Sequence, residues 1–228
     1  MAQLVSSILP KEGYHPVSTT KVTLDRPELL ADSKCSLYLY LRLPPLVFVD
    51  PYELAHHESF YTFRHWGPSN LELPVSAVQQ NNSHLLLDVT LSSNSHEINV
   101  TLPLHLRYGD LSKRSPSGHH TAELAWPTGF LKCPLSSSSA IRSLPSGLPH
   151  LPSEISSLFD AASALFIPIS HSGPTAADLV RVPTGAPGDL AYVEFGTAFT
   201  VLVAFCYLLR ASWLAARGVR RASMDKTD

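Results

Sequence analysis

Charge and cysteine are both scarce in this sequence. Only 16% of the 228 residues are charged, and the formal net charge is −2. Without a positive excess the chain has no electrostatic attraction for a phosphate backbone, so we expect no nucleic acid partner. Three cysteines are too few for a disulfide-dense scaffold. Eleven glycines against nineteen prolines argue against long helices in the main body, because proline is confined to turns, edges and helix starts.

The motifs of several enzyme classes are also missing. His57 and Glu58 begin like the zinc-protease pattern HExxH, but position 61 is a tyrosine where the second histidine is required. The PTGAPG run at 183–188 lacks the Lys-Ser/Thr ending of a phosphate loop, and no GxSxG is present. His119 and His120, in the expected loop SPSGHHTAE, match no metal-ligand spacing. The sequence therefore predicts no catalytic residue, no cofactor and no metal site.

The stretch VFVDPYELAHH, residues 47–57, places two carboxylates three residues apart, on Asp50 and Glu53. A glycosidase would need such a pair about 5 to 10 Å apart across a sugar cleft, and nothing else in the sequence outlines a cleft. The same order is typical of a helix start, with Asp50 as the cap, Pro51 first in the helix and Glu53 reaching back to the N–H of the cap. We therefore predict a structural role for both acids.

Period-two alternation dominates the sequence before residue 133. In residues 34–43, Cys35 shares one face with the leucines at 37, 39, 41 and 43, while Ser36, Tyr38, Tyr40 and Arg42 share the other. In residues 97–108, the inward positions are Ile98, Val100, Leu102, Leu104 and Leu106, and the positions facing water are Asn99, Thr101, His105 and Arg107. KVTLD, LLLDVTL and DLVRV add further short strands. The pattern predicts a mainly β fold, an antiparallel sandwich or barrel.

One long apolar run lies near the C-terminus. There is no charge between Phe195 and Leu209, and the apolar character extends over residues 190–214. This is roughly the 20 residues needed to cross a bilayer, and a buried core helix, the alternative, would keep a polar stripe. Tyr192 and Trp213 lie near the two ends, where the headgroup layer favours their rings. The sequence predicts a transmembrane helix over residues 190–214.

The flanking residues predict the orientation of this helix. The positive-inside rule puts the tail, residues 215–228, in the cytosol and the preceding domain in a lumen. The basic residues after the uncharged run are Arg210, Arg217, Arg220, Arg221 and Lys226, whereas Arg181 alone lies in the twenty residues before the helix. Because the chain ends on RRASMDKTD and not on an apolar tail, we expect the helix to be kept and not replaced by a GPI anchor.

Three further features bear on a lumenal location. Asn81 and Asn99 begin the glycosylation sequons NNS and NVT, and Asn99 is on the face predicted to meet water. In an oxidising lumen Cys35 and Cys133 are a candidate disulfide pair, with a buried free Cys35 thiol as the alternative. The N-terminal segment, residues 1–13, lacks a basic region and is a poor signal peptide. We expect either a true start further upstream or translocation without a standard signal.

The composition changes after residue 133. Residues 134–176 are rich in Ser and Pro and predict a linker or insertion. Within them, apolar residues at helical spacing behind Ser153 predict a short amphipathic helix, on a membrane, on a partner or over the domain's own core. Those residues are Ile155, Leu158, Phe159, Ala162, Leu165 and Phe166. The β domain is thus expected over residues 14–133, with a final strand and hinge at 177–189.

The order of these motifs resembles the PIG-X family, which includes the fungal Pbn proteins. The resemblance rests on LPPLVFVDPYEL at 43–54, LPLHLRY at 102–108, a cysteine at Cys133, and VPTG at 182–185 before one C-terminal span. It covers residues 14–133 and 177–210. The most specific signature consists of Asp50, Pro51, Tyr52, Glu53 and Leu54.

This resemblance implies a function that the residues alone do not. The family supplies the accessory subunit of GPI mannosyltransferase I, an enzyme of the endoplasmic reticulum (ER) membrane. The multi-spanning catalytic subunit, PIG-M, transfers the first mannose from dolichol-phosphate-mannose to the glucosaminyl-phosphatidylinositol precursor. The implied role is non-catalytic stabilisation of that subunit within the ER lipid bilayer. The alternatives are a cell-surface binding receptor with a β-sandwich ectodomain and a membrane-tethered lumenal hydrolase.

Two partner surfaces are expected. One is a small-residue patch in the span, which suits close helix packing, with Glu194 beside it. The patch consists of Gly196, Thr197, Ala198 and Thr200. The other surface lies around Tyr52 and the loop that follows it, with Trp66 as an anchor.

Overall fold

The computed structural model describes residues 2–32, 34–68, 70–71, 73–78, 81–90, 95–109, 118–136, 139–142, 146–160, 163–173 and 176–224. The chain divides into two compact units. The first contains the strands, and the second contains the C-terminal helix.

The first unit is built mainly of short strands. They are β1 (Gln3–Leu9), β2 (Val17–Thr23), β3 (Ser36–Leu43), β4 (Val47–Phe48), β5 (Tyr61–Trp66), β6 (Ser83–Val89), β7 (Glu97–Pro103), β8 (His105–Leu106), β9 (His119–Ala125), β10 (Thr128–Pro134), β11 (Ala164–Pro168), β12 (Ser170–His171) and β13 (Ala177–Pro183). Its short helices are α1 (Pro27–Asp32), α2 (Pro51–Ala55), α3 (Ser139–Arg142) and α4 (Ser153–Ser156), with a 3-10 turn at Val75–Ala77. The prediction of a mainly β, antiparallel fold is confirmed.

Two sheets enclose the main core. The first has four strands in the order β12-β1-β2-β7, antiparallel except for the β12–β1 pair, and the second has five antiparallel strands in the order β11-β10-β3-β6-β5. Leu4 and Val100 of the first sheet share one buried cluster with Leu39 and Leu87 of the second. At Gly129 in β10, an added Cβ would lie 2.9 Å from Leu4 Cδ1, so the sheets pack closely there. This is a sandwich-like arrangement, with the smaller pairs β13-β9 and β4-β8 beside it.

The alternation predicted for β3 and β7 is confirmed. Cys35, Leu39 and Leu43 are buried in the main core, as are Val100 and Leu102. The opposite face of β3 does not simply meet water. A second cluster covers it, formed by Tyr40, Leu86, Phe130, Leu151, Ile155, Phe159, Ala164 and Phe166. The outer face of the five-stranded sheet is therefore partly covered by apolar side chains.

The predicted boundaries of the β domain need correction at both ends. Gln3–Leu9, placed in the N-terminal segment, forms β1 and pairs along its whole length with β2. Ser6 interrupts its apolar pattern but is buried, with its hydroxyl 3.0 Å from that of Thr20. At the other end, the expected linker contributes β11, which pairs with β10. His119 and His120, expected in a loop, begin β9.

The helix predicted behind Ser153 is much shorter than its apolar spacing indicates. It ends at Ser156, and Pro152, not Ser153, occupies the cap position without a side-chain hydrogen bond. Leu165 and Phe166 lie in β11 instead, because pairing with β10 buries Phe166 in the second cluster. Ile155 is fully buried, so the segment covers the domain's own sheet. Ala162 lies outside the described residues.

The second unit contains α5 (Leu190–Met224), which follows a 3-10 turn at Pro187–Asp189. It is the one helix of the described residues that is long and apolar enough to cross a membrane, from Pro187 to Gly218. Its apolar window has no burial within the protein. The helix continues ten residues past the predicted end of the span at residue 214, into the basic segment.

Candidate functional site

Helix α2, which carries the DPYEL signature, begins with the predicted cap. Asp50 has an extended backbone, and its Oδ1 accepts a hydrogen bond from the Tyr52 N–H at 2.8 Å. Pro51 takes the first helical position, where its missing N–H breaks no helical bond. Asp50 therefore satisfies a backbone donor that the helix itself leaves unpaired.

The predicted role of Glu53 in that cap is wrong. Its Oε2 accepts a hydrogen bond from His105 Nε2 at 2.7 Å instead of reaching back to the cap. The His105 ring stacks on Phe48, with centroids 5.2 Å apart, and its Nδ1 is 3.0 Å from His15 Nδ1. The Glu53 carboxylate thus binds a ring nitrogen of His105 on the neighbouring strand β8. This contact connects α2 to the β4–β8 pair.

The exposed side of α2 is aromatic. Leu54 is fully buried in the main core, whereas the Tyr52 side chain is 78% exposed. Phe60, in the loop after the helix, is 62% exposed. Trp66 does not join them, because it packs against the second cluster, on the other face of the five-stranded sheet. The expected surface around Tyr52 therefore contains Phe60 and lacks its predicted tryptophan anchor.

Arg107 contradicts the prediction that it faces water. Its side chain is only 4% exposed, and Nη1 donates to the carbonyl oxygens of Asn70 and Leu73. The guanidinium carbon lies 4.4 Å from the centroid of the Phe48 ring, and burial lowers the pKa of the group. The β8 strand ends at Leu106, so period two no longer fixes the direction of the next side chain. Sequence spacing carries no signal for this contact.

The two cysteines of the candidate pair lie on neighbouring strands. Lys132 of β10 is opposite Ser36 of β3, which brings the next residues, Cys133 and Cys35, together. The structure joins them in a disulfide 98 residues apart in sequence. Cys206 in α5 is a free, exposed cysteine.

Both sequon asparagines are exposed, as a glycan requires. Asn99 lies on the outer face of β7, an edge strand of the four-stranded sheet. Asn81 precedes β6, whose first residue, Ser83, is buried. Glycosylation at both positions stays a prediction.

The histidines singled out in the sequence take part in separate contacts. The His57 ring stacks on Tyr61 with centroids 5.9 Å apart, and His119 Nε2 is 2.7 Å from Glu12 Oε1. Within the described ranges, no group of three or more His, Cys, Asp or Glu side chains is placed to hold a metal ion. The polar contacts around α2 position its backbone and connect it to β8.

The small residues of the span do not share one face of α5. At 3.6 residues per turn, Gly196 and Thr200 lie on the same side, and Ala198 lies nearly opposite. The Thr200 hydroxyl donates to the Gly196 carbonyl at 2.8 Å, so its polar group needs no outside partner. An added Cβ at Gly196 meets no atom within 4 Å. The small-residue surface of α5 therefore consists of Gly196 and Thr200, with Thr197 at its edge. We call Gly196 and Thr200 the stripe.

These features define a β-rich domain followed by one candidate membrane-spanning helix, the architecture of a single-pass membrane protein. The profile of the PIG-X / PBN1 family matches residues 11–213, which include the β domain except for β1, and most of the helix. The chain belongs to this family.

Individual fungal relatives agree with the family match. The chain is 32% identical to Protein pbn1 of Emericella nidulans over 139 residues, which cover 54% of this chain and 26% of that protein. It is 33% identical to Protein pbn1 of Aspergillus oryzae over 136 residues, with coverage of 53% and 24%. It is 27% identical to Protein PBN1 of Gibberella zeae over 215 residues, with coverage of 90% and 42%. The matched part of the chain thus spans 24% to 42% of the length of these relatives.

Proposed function

We propose that this chain is the non-catalytic, stabilising subunit of the ER mannosyltransferase complex that adds the first mannose to the GPI anchor precursor. The single observation that carries the proposal is the family match, which runs from residue 11 to residue 213 and so includes most of the β domain and most of the helix. The partner in this proposal is the multi-spanning, PIG-M-like catalytic subunit. ER lipid surrounds the transmembrane helix.

The helix supports a role within the membrane. Large apolar side chains along α5 are exposed, including Phe195, Phe199 and Leu202. In a bilayer these side chains contact lipid tails or the helices of another membrane protein. The stripe of Gly196 and Thr200 permits a close approach by a partner helix, because neither residue adds bulk to that side.

The proposed orientation places the β domain in the ER lumen and the tail in the cytosol. The Cys35–Cys133 disulfide supports this orientation, because such bonds persist in oxidising compartments. The exposed sequon asparagines are accessible to the lumenal glycosylation machinery. Basic residues follow the apolar part of α5, and the Arg217 guanidinium lies 3.8 Å from the Trp213 ring, an arrangement suited to the interface.

Protease digestion of sealed microsomes tests the orientation. We expect the bulk domain to be protected and to carry glycans at Asn81 and Asn99 that endoglycosidase H removes, as in an ER resident. Digestion of the domain from the cytosolic side would contradict the orientation. Glycans resistant to endoglycosidase H would support the cell-surface receptor instead.

Stabilisation follows from binding the native form of the partner. A subunit that binds only the folded catalytic chain shifts its folding equilibrium by mass action and protects it from degradation. Co-purification of a tagged chain from digitonin-solubilised ER membranes, followed by mass spectrometry, identifies the partner. A matched chain whose residues 190–214 are replaced by a leucine-alanine span separates the contribution of α5 from that of the β domain. Recovery of no multi-spanning glycosyltransferase with the natural chain would overturn the proposal.

A further inference from the structure

A polar pocket opens on the face of the five-stranded sheet that points away from the main core. Its volume is about 330 Å³, at the lower end of the range of about 300 to 1,000 Å³ for small-molecule sites. The floor is a row of directly opposed residues on three neighbouring strands, in the order Thr62, Asp88, Tyr38. The floor of the pocket is therefore fixed by strand register.

The pocket contains three charged side chains, one in its floor and two beside it. Arg64, Asp88 and Lys132 all line the pocket. The ion pairs between described residues, with N···O distances within 4.0 Å, all involve side chains other than these three. Burial raises the pKa of Asp88, although Tyr38, Lys132 and Arg64 each favour its carboxylate form. The Tyr38 hydroxyl already donates to the Asp88 carboxylate, whereas Arg64 and Lys132 form no ion pair with that carboxylate within 4.0 Å among the described residues.

One wall of the pocket is apolar and aromatic. Phe159 is 8% exposed and meets the Tyr38 ring edge-on, with centroids 5.2 Å apart. It is held in place by Phe130 and Phe166, whose rings lie 5.4 and 5.7 Å away. Lys132 Nζ lies 5.8 Å from the Phe159 centroid, so a cation and a ring face adjoin at this wall. Burial and Asp88 raise the pKa of Tyr38 to about 12, and its hydroxyl stays a donor at neutral pH.

The mixture of charges selects the kind of ligand. An anion attracted by Arg64 and Lys132 would lie beside the Asp88 carboxylate, and a cation attracted by Asp88 would lie beside both basic groups; each arrangement carries like-charge repulsion. A neutral polyol avoids both, because its hydroxyls donate to Asp88 and accept from Arg64 and Lys132. The apolar C–H groups of a pyranose ring would contact Leu158, which is 39% exposed, and the small exposed part of Phe159. We propose that this pocket binds a neutral hexopyranose residue of a glycan.

Binding is measured on the purified full-length chain in a detergent without a sugar headgroup, so that the detergent does not occupy the pocket. The probes are the methyl glycosides of glucose, mannose, galactose and N-acetylglucosamine, with inorganic phosphate and ethanolamine as charged competitors. Saturation-transfer NMR at up to about 10 mM detects a Kd of about 1 mM. We expect at least one glycoside to bind and neither charged probe to displace it.

Two pocket variants and one matched control identify the site. Asp88→Asn and Lys132→Met each remove a charged hydrogen-bonding group and should weaken glycoside binding at least about tenfold. Glu97→Gln, an exposed carboxylate on the other sheet that pairs with Lys21 at 2.6 Å, should leave affinity unchanged. The thermal midpoint of each variant is recorded, and Lys132→Met decides the matter if Asp88→Asn does not fold.

Three results would overturn the proposal: no glycoside binds, phosphate or ethanolamine binds in its place, or the folded pocket variants keep full affinity. Sugar binding by the isolated chain does not depend on the stabilising role proposed above, because no catalytic partner is present. If no glycoside binds, the proposed stabilising role is unaffected. If the stabilising role is disproved, the proposal of sugar binding is unaffected.

Discussion

The two acids of the DPYEL signature contact different partners, so substitutions of Asp50 test the helix cap alone. Asp50→Ala removes the acceptor of the Tyr52 N–H and should lower the free energy of unfolding by about 0.5 to 2 kcal/mol. Asp50→Asn can still cap and should be mild. Thermal denaturation of the full chain in detergent measures both. If Asp50→Asn abolished function while protein level and partner binding stayed normal, a chemical role for this carboxylate would replace the structural one.

Two partly buried histidines make the fold sensitive to acid. Burial and the neighbouring His84 lower the pKa of His65 below its ordinary value of 6.5, and burial also lowers that of His84. The unfolded chain therefore binds protons at a higher pH than the folded chain does. The stability contributed by the neutral rings is present above about pH 6.5 and is lost as the pH falls through the lowered values.

This sensitivity should be reduced in His65→Leu. His65 Nε2 is buried without a hydrogen-bond partner among the described residues, so an apolar side chain leaves no polar atom unsatisfied. Between pH 7.5 and pH 5.5 we expect the thermal midpoint to fall less in His65→Leu than in the natural chain. His56→Leu, at an exposed position, is the control. An equal fall in all three proteins would contradict the assignment.

The sequence predicted the local contacts of the site better than the long-range ones. Asp50, Pro51 and the helix they begin follow from three neighbouring residues, whose geometry is local. Glu53 was assigned to the cap because His105, 52 positions away, cannot be found by spacing. Arg107 was assigned to water because its acceptors belong to a separate segment. Each error concerns a partner that only the tertiary fold supplies.

At the level of elements, alternation identified the strands with one apolar and one polar face. It missed β1, whose inner position Ser6 carries a hydroxyl that is bonded to the hydroxyls of Ser18 and Thr20 on β2 in place of an apolar side chain. It also missed β11, whose five residues are too few to show a period and lie in Ser/Pro-rich sequence. The pocket floor was hidden for a related reason, because Thr62, Asp88 and Tyr38 meet only through strand pairing.

The disulfide between β3 and β10 should contribute measurably to stability. Replacing Cys35 and Cys133 together by Ala should cost about 2 to 5 kcal/mol, because it removes a cross-link that restricts the unfolded chain. Cys206→Ala, at the free exposed cysteine, should have no such effect. Alkylation followed by intact-mass analysis should add one label before reduction and three after, one for each cysteine. Three labels without reduction would show that the pair is not bridged.

Two substitutions that introduce isoleucine on different sides of α5 should differ in how much of the catalytic subunit co-purifies. Gly196→Ile fills the side shared with Thr200 and should weaken co-purification of the catalytic subunit, because the helices cannot approach closely. Ala198→Ile adds a similar bulk on the nearly opposite side and should have little effect. Quantitative mass spectrometry of the purified complexes compares the two. Equal recovery of the partner with both variants would exclude the stripe as a contact surface.

At the scale of the whole molecule, each unit suits a different part of the proposed role. The sandwich-like unit presents Tyr52, Phe60 and the polar pocket to solvent, and the helical unit presents an unburied apolar surface. In the role proposed above the chain acts through the partner that it binds, so its effect is best measured on that partner.

Acute depletion of this chain from cells, with the catalytic subunit followed by pulse-chase and the lipid precursors by mass spectrometry, tests the stabilising role most directly. We predict that the half-life of the mannosyltransferase subunit shortens and that mannose-free glucosaminyl-phosphatidylinositol accumulates, because the native partner is no longer favoured by binding. Restoring the natural chain should reverse both changes. A catalytic subunit that stays abundant and active after depletion would contradict the stabilising role.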